Sequence, residues 1–273
     1  MAAFVVFTDL DGTLLDAATY SFQPAQQALR ELRSRGIPLI IVSSKTRAEI
    51  HAVRRAMDSR DPFIVENGGS LYVPTGYFHF ALDGAVEHDG YQTIEFGLPY
   101  ALLRKALREI NSAVGGGVRG FGDMSLDEVV ALTGLDRDNA RLAAEREYDE
   151  PFVIDGRPEL VDEVRRLADA RGLKCTTGGR FHHLLGRSDK GKACRYLIEC
   201  FRREMSAQTS PPITVALGDS SNDLPMLAAV DRPILLRRPN GQYEDAVDLP
   251  NLRRAPGGGP AGWNDAIMCL LEG

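Results

Sequence analysis

Residues 4–13 read Phe4-Val5-Val6-Phe7-Thr8-Asp9-Leu10-Asp11-Gly12-Thr13, an apolar run that ends in a loop with two carboxylates and a glycine. The apolar part has the length and content of a buried strand, and the polar end is its exit loop. Downstream, residues 24–35 place Ala28, Leu29 and Leu32 at helical spacing, with a proline at the start and Gly36 at the stop. Residues 37–42 form a second apolar run that exits into Ser43-Ser44-Lys45. Residues 46–57 are helical again, with Ile50, Val53 and Met57 on one face. Residues 63–65 are a third short strand, exiting into Glu66-Asn67-Gly68-Gly69. This β-α-β-α-β alternation predicts a parallel sheet with helices on its faces. Ligands of such sheets collect outside the carboxyl ends of the strands. Asp9, Asp11, Ser43 and Asn67 are thereby aimed at one crevice.

The middle of the chain has a different rhythm. Helices are expected at 98–113, at 125–132 behind a Ser125/Glu128 capping box, at 136–147 and at 158–170. Short strands are expected at 152–154, 173–177 and 180–185, the last two joined by Gly178-Gly179 as a hairpin. Residues 85–186 read as a separate α+β insertion between core segments 1–84 and 187–273. The alternation resumes with a helix at 190–205, a strand at 213–217 ending in Gly218-Asp219-Ser220-Ser221-Asn222-Asp223, a short helix, a strand at 233–236 and a closing helix at 264–271. The fold class is therefore α/β: a Rossmann-like parallel core with an inserted α+β cap domain.

The chain has 273 residues, 44% hydrophobic and 26% charged, enough for two cores without disulfides or structural metals. The net charge of −6 and the lack of a long basic run argue against nucleic acid or an anionic membrane as partner. The four cysteines form no CxxC pair and no zinc spacing, so they read as reduced interior thiols. The first residues lack the basic segment and apolar stretch of a signal peptide, and no run reaches the ~18 apolar residues of a membrane span. A cytoplasmic enzyme is the expectation.

Two carboxylates two residues apart in one loop can divide a reaction between them, one attacking phosphorus and the other moving a proton. A carboxylate attacking a phosphate sets anion against anion, so the charge has to be neutralised. A hard divalent cation such as Mg²⁺, held by oxygen ligands, does this. A turn rich in Asp and Gly accounts for Asp9 and Asp11 equally well in isolation, and a helix cap accounts for Asp223. The joint pattern is stronger: Asp219 and Asp223 form a second acidic cluster at a second strand end of the same sheet. Ser43 offers a hydroxyl next to a helix start, where backbone N–H groups hold phosphate oxygens. Lys190 opens a helix against the macrodipole, which makes sense if its ammonium faces the nucleophile and the phosphate.

These four stretches, in this order, resemble the haloacid dehalogenase (HAD) superfamily of phosphatases over nearly the whole chain, and the insertion resembles the α+β cap of its IIB branch. The resemblance implies that Asp9 is the nucleophile and Asp11 the general acid/base, with Ser43 and Lys190 at the phosphate. It also implies an Mg²⁺ site at Asp9, Asp11 (through its backbone carbonyl) and Asp219, with Asp223 as a ligand or close partner. The cap stretches 146–152 and 178–184, with 42–47 and 66–69, resemble the family of mannosyl-3-phosphoglycerate phosphatases. That likeness implies a small sugar-acid phosphate as substrate. Arg180 on the glycines Gly178 and Gly179 would pair with its carboxylate, Glu147, Glu150 and His182 would bond sugar hydroxyls, and Asn67 would face the cleft. Glu147 and Glu150 also read as ordinary surface acids, and His183 as a core or strand-surface histidine. Other readings stay open: a phosphatase for a glucosyl-3-phosphoglycerate, a sucrose phosphate or many substrates, a phosphomutase, or a non-catalytic binding protein on this scaffold.

Overall fold

The computed structural model describes residues 4–178, 181–206 and 210–272. In chain order the strands are β1 (Phe4–Thr8), β2 (Leu39–Val42), β3 (Phe63–Val65), β4 (Ser70–Pro74), β5 (Val86–His88), β6 (Tyr91–Glu95), β7 (Val118–Gly120), β8 (Asp149–Ile154), β9 (Lys174–Gly178), β10 (Phe181–Leu185), β11 (Ile213–Gly218), β12 (Arg232–Arg237) and β13 (Arg253–Gly258). The helices are α1 (Gln26–Ser34), α2 (Arg47–Ala56), α3 (Tyr100–Ala113), α4 (Leu126–Thr133), α5 (Arg137–Ala144), α6 (Leu160–Asp169), α7 (Lys190–Glu204), α8 (Leu224–Leu227) and α9 (Gly259–Glu272).

The strands make two sheets. The larger has the order β13-β12-β11-β1-β2-β3-β4-β6-β5, parallel from β13 to β3 and antiparallel beyond. The smaller is antiparallel with the order β7-β8-β10-β9. Period-two alternation sends Val6 of β1 into the core under α1 and α9, and Val5 and Phe7 into the core under α7 and α8. The smaller sheet packs Phe152, Leu184 and Val118 against Leu103, Leu107 and Ile110 of α3 and Val164 and Ala168 of α6. This is the expected α/β core with an α+β cap.

The insertion begins later than its expected boundary at residue 85. Residues 86–88 and 91–95 are edge strands of the larger sheet. They were hard to assign from sequence because an antiparallel edge has one wet side: all of β5 is exposed. Residues 253–258 form β13 on the opposite edge, and Gly257, Gly258 and Gly259 carry the chain from that strand directly into α9. Cys194 and Cys200 are buried as expected, whereas Cys269 is exposed. No described helix is long and apolar enough to cross a membrane.

Trp263 of α9 is fully buried, and its Nε1 donates to Thr8 Oγ1 at 3.0 Å. The Thr8 hydroxyl in turn donates to the carbonyl oxygen of Asp9 at 2.7 Å. The closing helix thus props the exit of β1. Trp263→Ala is expected to lower unfolding free energy by about 3–5 kcal/mol, read by urea denaturation; a loss under about 1 kcal/mol would show that α9 does not brace β1.

Candidate active site

Five loops meet above the carboxyl ends of the parallel strands. At the bottom, Lys190, the first residue of α7, is buried with its Nζ 2.7 Å from Asp9 Oδ1 and 2.6 Å from Asp223 Oδ1. Asp223 is also fully buried, and its Oδ2 accepts the backbone N–H groups of Asp219 and Ser220, both at 3.1 Å. Thr13 Oγ1 donates to Asp219 Oδ1 at 3.2 Å. Gly12, at φ +78°, leaves room for that carboxylate: a Cβ there would lie 2.7 Å from Asp219 Oδ2. Gly68, at φ +90°, lets its loop pass the start of α7, where a Cβ would lie 2.2 Å from the Asp189 carbonyl oxygen.

The carboxylate oxygens of Asp9, Asp219 and Asp223 come within 4.8 Å of one another, with the Lys190 ammonium as the cation bound among them. Burial and the neighbouring Asp223 push the Asp9 carboxyl well above the ordinary carboxylate range, although Lys190 pulls the other way. Burial and Asp223 also push Asp219 up to about 7. For Lys190, burial lowers the affinity for its proton, but Asp223 and Asp9 outweigh that and hold it above its usual value. One ammonium cannot balance three carboxylates in a dry site. An all-oxygen, net-negative cluster suits a hard divalent cation. Asp9 and Asp219 have the freer oxygens, while Asp223 has both of its oxygens engaged by Lys190 and the β11 exit loop.

The Asp11 side chain is half-exposed and pairs with Lys45 Nζ at 3.0 Å, which also reaches Glu49 Oε1 at 3.4 Å. Its carboxylate stands apart from the three-carboxylate cluster. Ser43 directly follows β2; its backbone N–H donates to Ile64 O, and its hydroxyl accepts the N–H of Lys45 at 3.2 Å. Asn67 takes a left-handed backbone at φ +57°. Its side chain reaches Asp149 Oδ2 at 3.2 Å and accepts from Asn222 Nδ2 at 3.3 Å.

Above this floor lies a cleft of about 580 Å³, lined from below by Asp9, Asp11, Lys45, Asn67 and Asp219 and from the cap by Phe121, Arg146, Pro151, Thr176, Phe181 and His183. Three cap residues expected in it point elsewhere. In the antiparallel pairing of β8 with β10, His183 lies opposite Pro151, His182 opposite Phe152 and Leu184 opposite Glu150. Opposite residues share a face. Phe152 and Leu184 are in the cap core, so Glu150 and His182 share the helix-covered face, away from the cleft. Glu150 is buried there, accepts the N–H of Gly122 at 3.1 Å, and is pushed up to about 7 by burial. His182 Nδ1 meets Thr177 Oγ1 at 2.9 Å and its ring lies over Phe152. Glu147 precedes the strand and joins cap to core, bonding Arg47 Nη2 at 3.1 Å and the Tyr72 hydroxyl at 2.9 Å. Gly178 ends β9; Gly179 and Arg180 lie outside the described residues. The residues missed from sequence are Arg146, Asp149 and His183. The register of β8 with β10 identifies two of them, since Asp149 and His183 lie on the face opposite Phe152 and Leu184.

Glu66 joins cap to core from the other side. Fully buried at φ +47°, it accepts the N–H groups of Glu147 at 2.9 Å and Tyr148 at 2.8 Å. Burial raises its carboxyl from an ordinary 4.5 to about 8, against the opposing pull of Arg146. A carboxyl that holds its proton more tightly when folded stabilises the fold at acid pH, and this contribution is lost as pH rises through about 8. On the order of a few kcal/mol should therefore disappear between about pH 5 and pH 9. Glu66→Gln keeps the acceptor oxygen and should flatten that slope in urea titrations; parallel slopes for the two proteins would contradict the assignment.

Residues 6–81 match the family model described as haloacid dehalogenase-like hydrolase. The chain is 44% identical over 267 residues to a glucosyl-3-phosphoglycerate/mannosyl-3-phosphoglycerate phosphatase of Methanococcoides burtonii, covering 98% of this chain and 97% of that one. It is 35% identical over 249 residues to a mannosyl-3-phosphoglycerate phosphatase of Pyrococcus furiosus, covering 91% and 96%. Among solved structures it superposes on the sucrose-phosphatase of Synechocystis with a TM-score of 0.60 at 15% identity, over 98% of each chain. The fold, the acidic floor and these full-length likenesses agree: the chain belongs to the haloacid dehalogenase-like hydrolase family, as a phosphatase.

Proposed function

We propose that the chain hydrolyses mannosyl-3-phosphoglycerate, and its glucosyl analogue, to the glycosylglycerate and phosphate. The buried Asp9–Lys190–Asp223 arrangement under a cap-covered cleft carries the chemical half of this reading. The names of the two full-length relatives support the substrate half.

Asp9 is the nucleophile. Its Oδ1 is held by the Lys190 ammonium, which leaves Oδ2 to attack phosphorus in line. A P–O bond forms to Asp9 as the bond to the leaving oxygen breaks. Asp11 gives that oxygen a proton, then takes one from the water that hydrolyses the aspartyl phosphate. Lys190 and Ser43 would hold the phosphoryl oxygens, where positioning and charge neutralisation provide most of the acceleration. Mg²⁺, held by Asp9 and Asp219 with the Asp11 backbone carbonyl, would supply the positive charge that lets one anion approach another. Asp223 positions Lys190 and the Asp219 loop. The cap keeps bulk water from the acyl phosphate and reads the leaving group.

Phosphate release should follow from both glycosyl-3-phosphoglycerates with Mg²⁺ and disappear with EDTA. Asp9→Asn should lose at least about 10³-fold in kcat with a preserved melting temperature. Near-wild-type turnover by Asp9→Asn would end the nucleophile assignment. Equal slow turnover of sucrose 6-phosphate and the glycosyl-3-phosphoglycerates would keep the phosphatase and reject the substrate.

A further inference from the structure

The cleft-facing side of the cap sheet carries an arrangement that the phosphoryl chemistry does not use. His183 lines the cleft with its ring edge against Asp149: Nδ1 is 2.8 Å from Asp149 Oδ2 and 3.1 Å from Oδ1. A carboxylate can only accept, so Nδ1 carries the hydrogen and donates it. Asp149 has no solvent exposure and is itself held from both halves of the molecule. Asn67 Nδ2, from the loop after β3, donates to it at 3.2 Å, and the buried Arg146 guanidinium lies 3.7 Å away. Arg146 is fixed in turn by donating to the Ser44 carbonyl at 2.8 Å and the Ala143 carbonyl at 2.8 Å.

These contacts set the ring plane and the tautomer of His183. In the neutral ring this leaves the lone pair on Nε2, and among the described residues nothing bonds to Nε2. Beside it, Phe121 and Phe181 pack edge to face with centroids 5.0 Å apart, and both line the cleft. Phe181 and His183 are two residues apart on β10 and so share a face. An apolar aromatic wall next to an oriented acceptor suits a sugar: its C–H face lies on the ring, and a hydroxyl donates to the lone pair.

We propose that His183 is a specificity-determining residue whose Nε2 accepts a hydrogen bond from a sugar hydroxyl of the leaving group. Asp149 is the positioning residue that fixes its tautomer. This rests on the glycosyl substrate proposed above, and it gives the sugar contact to His183 rather than to His182 or Glu150.

The test measures kcat and KM of the full-length enzyme with Mg²⁺ on mannosyl-3-phosphoglycerate and on 3-phosphoglycerate, which keeps the acid and lacks the sugar. The readout is the ratio of the two kcat/KM values. His183→Ala should lower that ratio about 10–100-fold, through the glycosyl substrate. His183→Gln, whose amide oxygen can accept, should recover part of it. Asp149→Asn should lower the ratio as well. In the His183→Ala background it should lower it no further, because Asp149 acts through His183. An unchanged ratio in His183→Ala, with or without a general loss of activity, would reduce the pair to a strut between β8 and β10 and overturn the proposal. An additive further fall in the double variant would remove the positioning role. If the wild type hydrolyses 4-nitrophenyl phosphate but neither glycosyl-3-phosphoglycerate, the substrate reading itself fails and this inference falls with it. That outcome is distinct from a wild type that turns over the glycosyl substrate and a variant that does so with the same preference.

Discussion

The site depends on one buried ammonium. The Lys190 side chain has no exposure, and its Nζ is shared between Asp9 and Asp223, residues 181 and 33 positions away in the chain. A charge removed from water needs partners in good geometry, and removing the ammonium would leave Asp9 and Asp223 buried without their cation. The ion triad therefore fixes the exit of β1, the start of α7 and the exit of β11 against one another. Asp223 extends that constraint by accepting two backbone N–H groups of its own loop, which sets the position of Asp219. Thr13 extends it from the other side by donating to Asp219, and Gly12 keeps the space that this carboxylate fills. Each member of the cluster is held by at least one contact to a different segment.

The same geometry explains why the floor is over-supplied with negative charge. Burial and mutual repulsion raise Asp9 and Asp219 together, and the ammonium only partly offsets them. Such a cluster is poor at stabilising a fold and well suited to a site completed by a cation. Stability comes from elsewhere: the two apolar layers around the larger sheet, including Trp263 beneath Thr8, and the separate core of the cap.

Much of this was legible in the sequence for a physical reason. In a parallel sheet the chain must leave each strand at the same edge, so Asp9, Ser43, Asn67 and Asp219 converge whatever the details of packing. Lys190 was legible as a local conflict, a cation at a helix N-terminus, which the structure resolves with two carboxylates. The cap was harder because its strands are short and mix polar with apolar residues. The adjacent histidines 182 and 183 differ only in phase: one lies over Phe152 in the cap, the other lines the cleft. Sequence alone does not give the phase of β10, because Leu184 and Leu185 are both buried and lie on opposite faces, so composition pointed at every polar side chain equally. Glu66 carried still less signal, since its role comes from a left-handed backbone and from N–H groups 81 and 82 residues away.

The bonds that join cap to core are arranged so that the cleft keeps its own donors and acceptors. Glu147 is held by Arg47 and Tyr72, Tyr148 by Glu95, Thr46 by the Leu142 carbonyl, and the backbone of 147–148 by Glu66. All of these residues lie beside the cleft rather than in its lining. Arg146 and Asp149 are the bridge between the two sets. They touch Ser44 and Asn67 on the core while backing His183 on the cap. A substrate that displaced the peripheral contacts would have to open the cap. One that entered beneath the roof meets Nε2 of His183 and the two phenylalanine rings without breaking any of them. Shape and hydrogen bonding at the roof can therefore be tuned independently of the charge cluster on the floor, which is how one phosphoryl-transfer site can serve leaving groups of different structure.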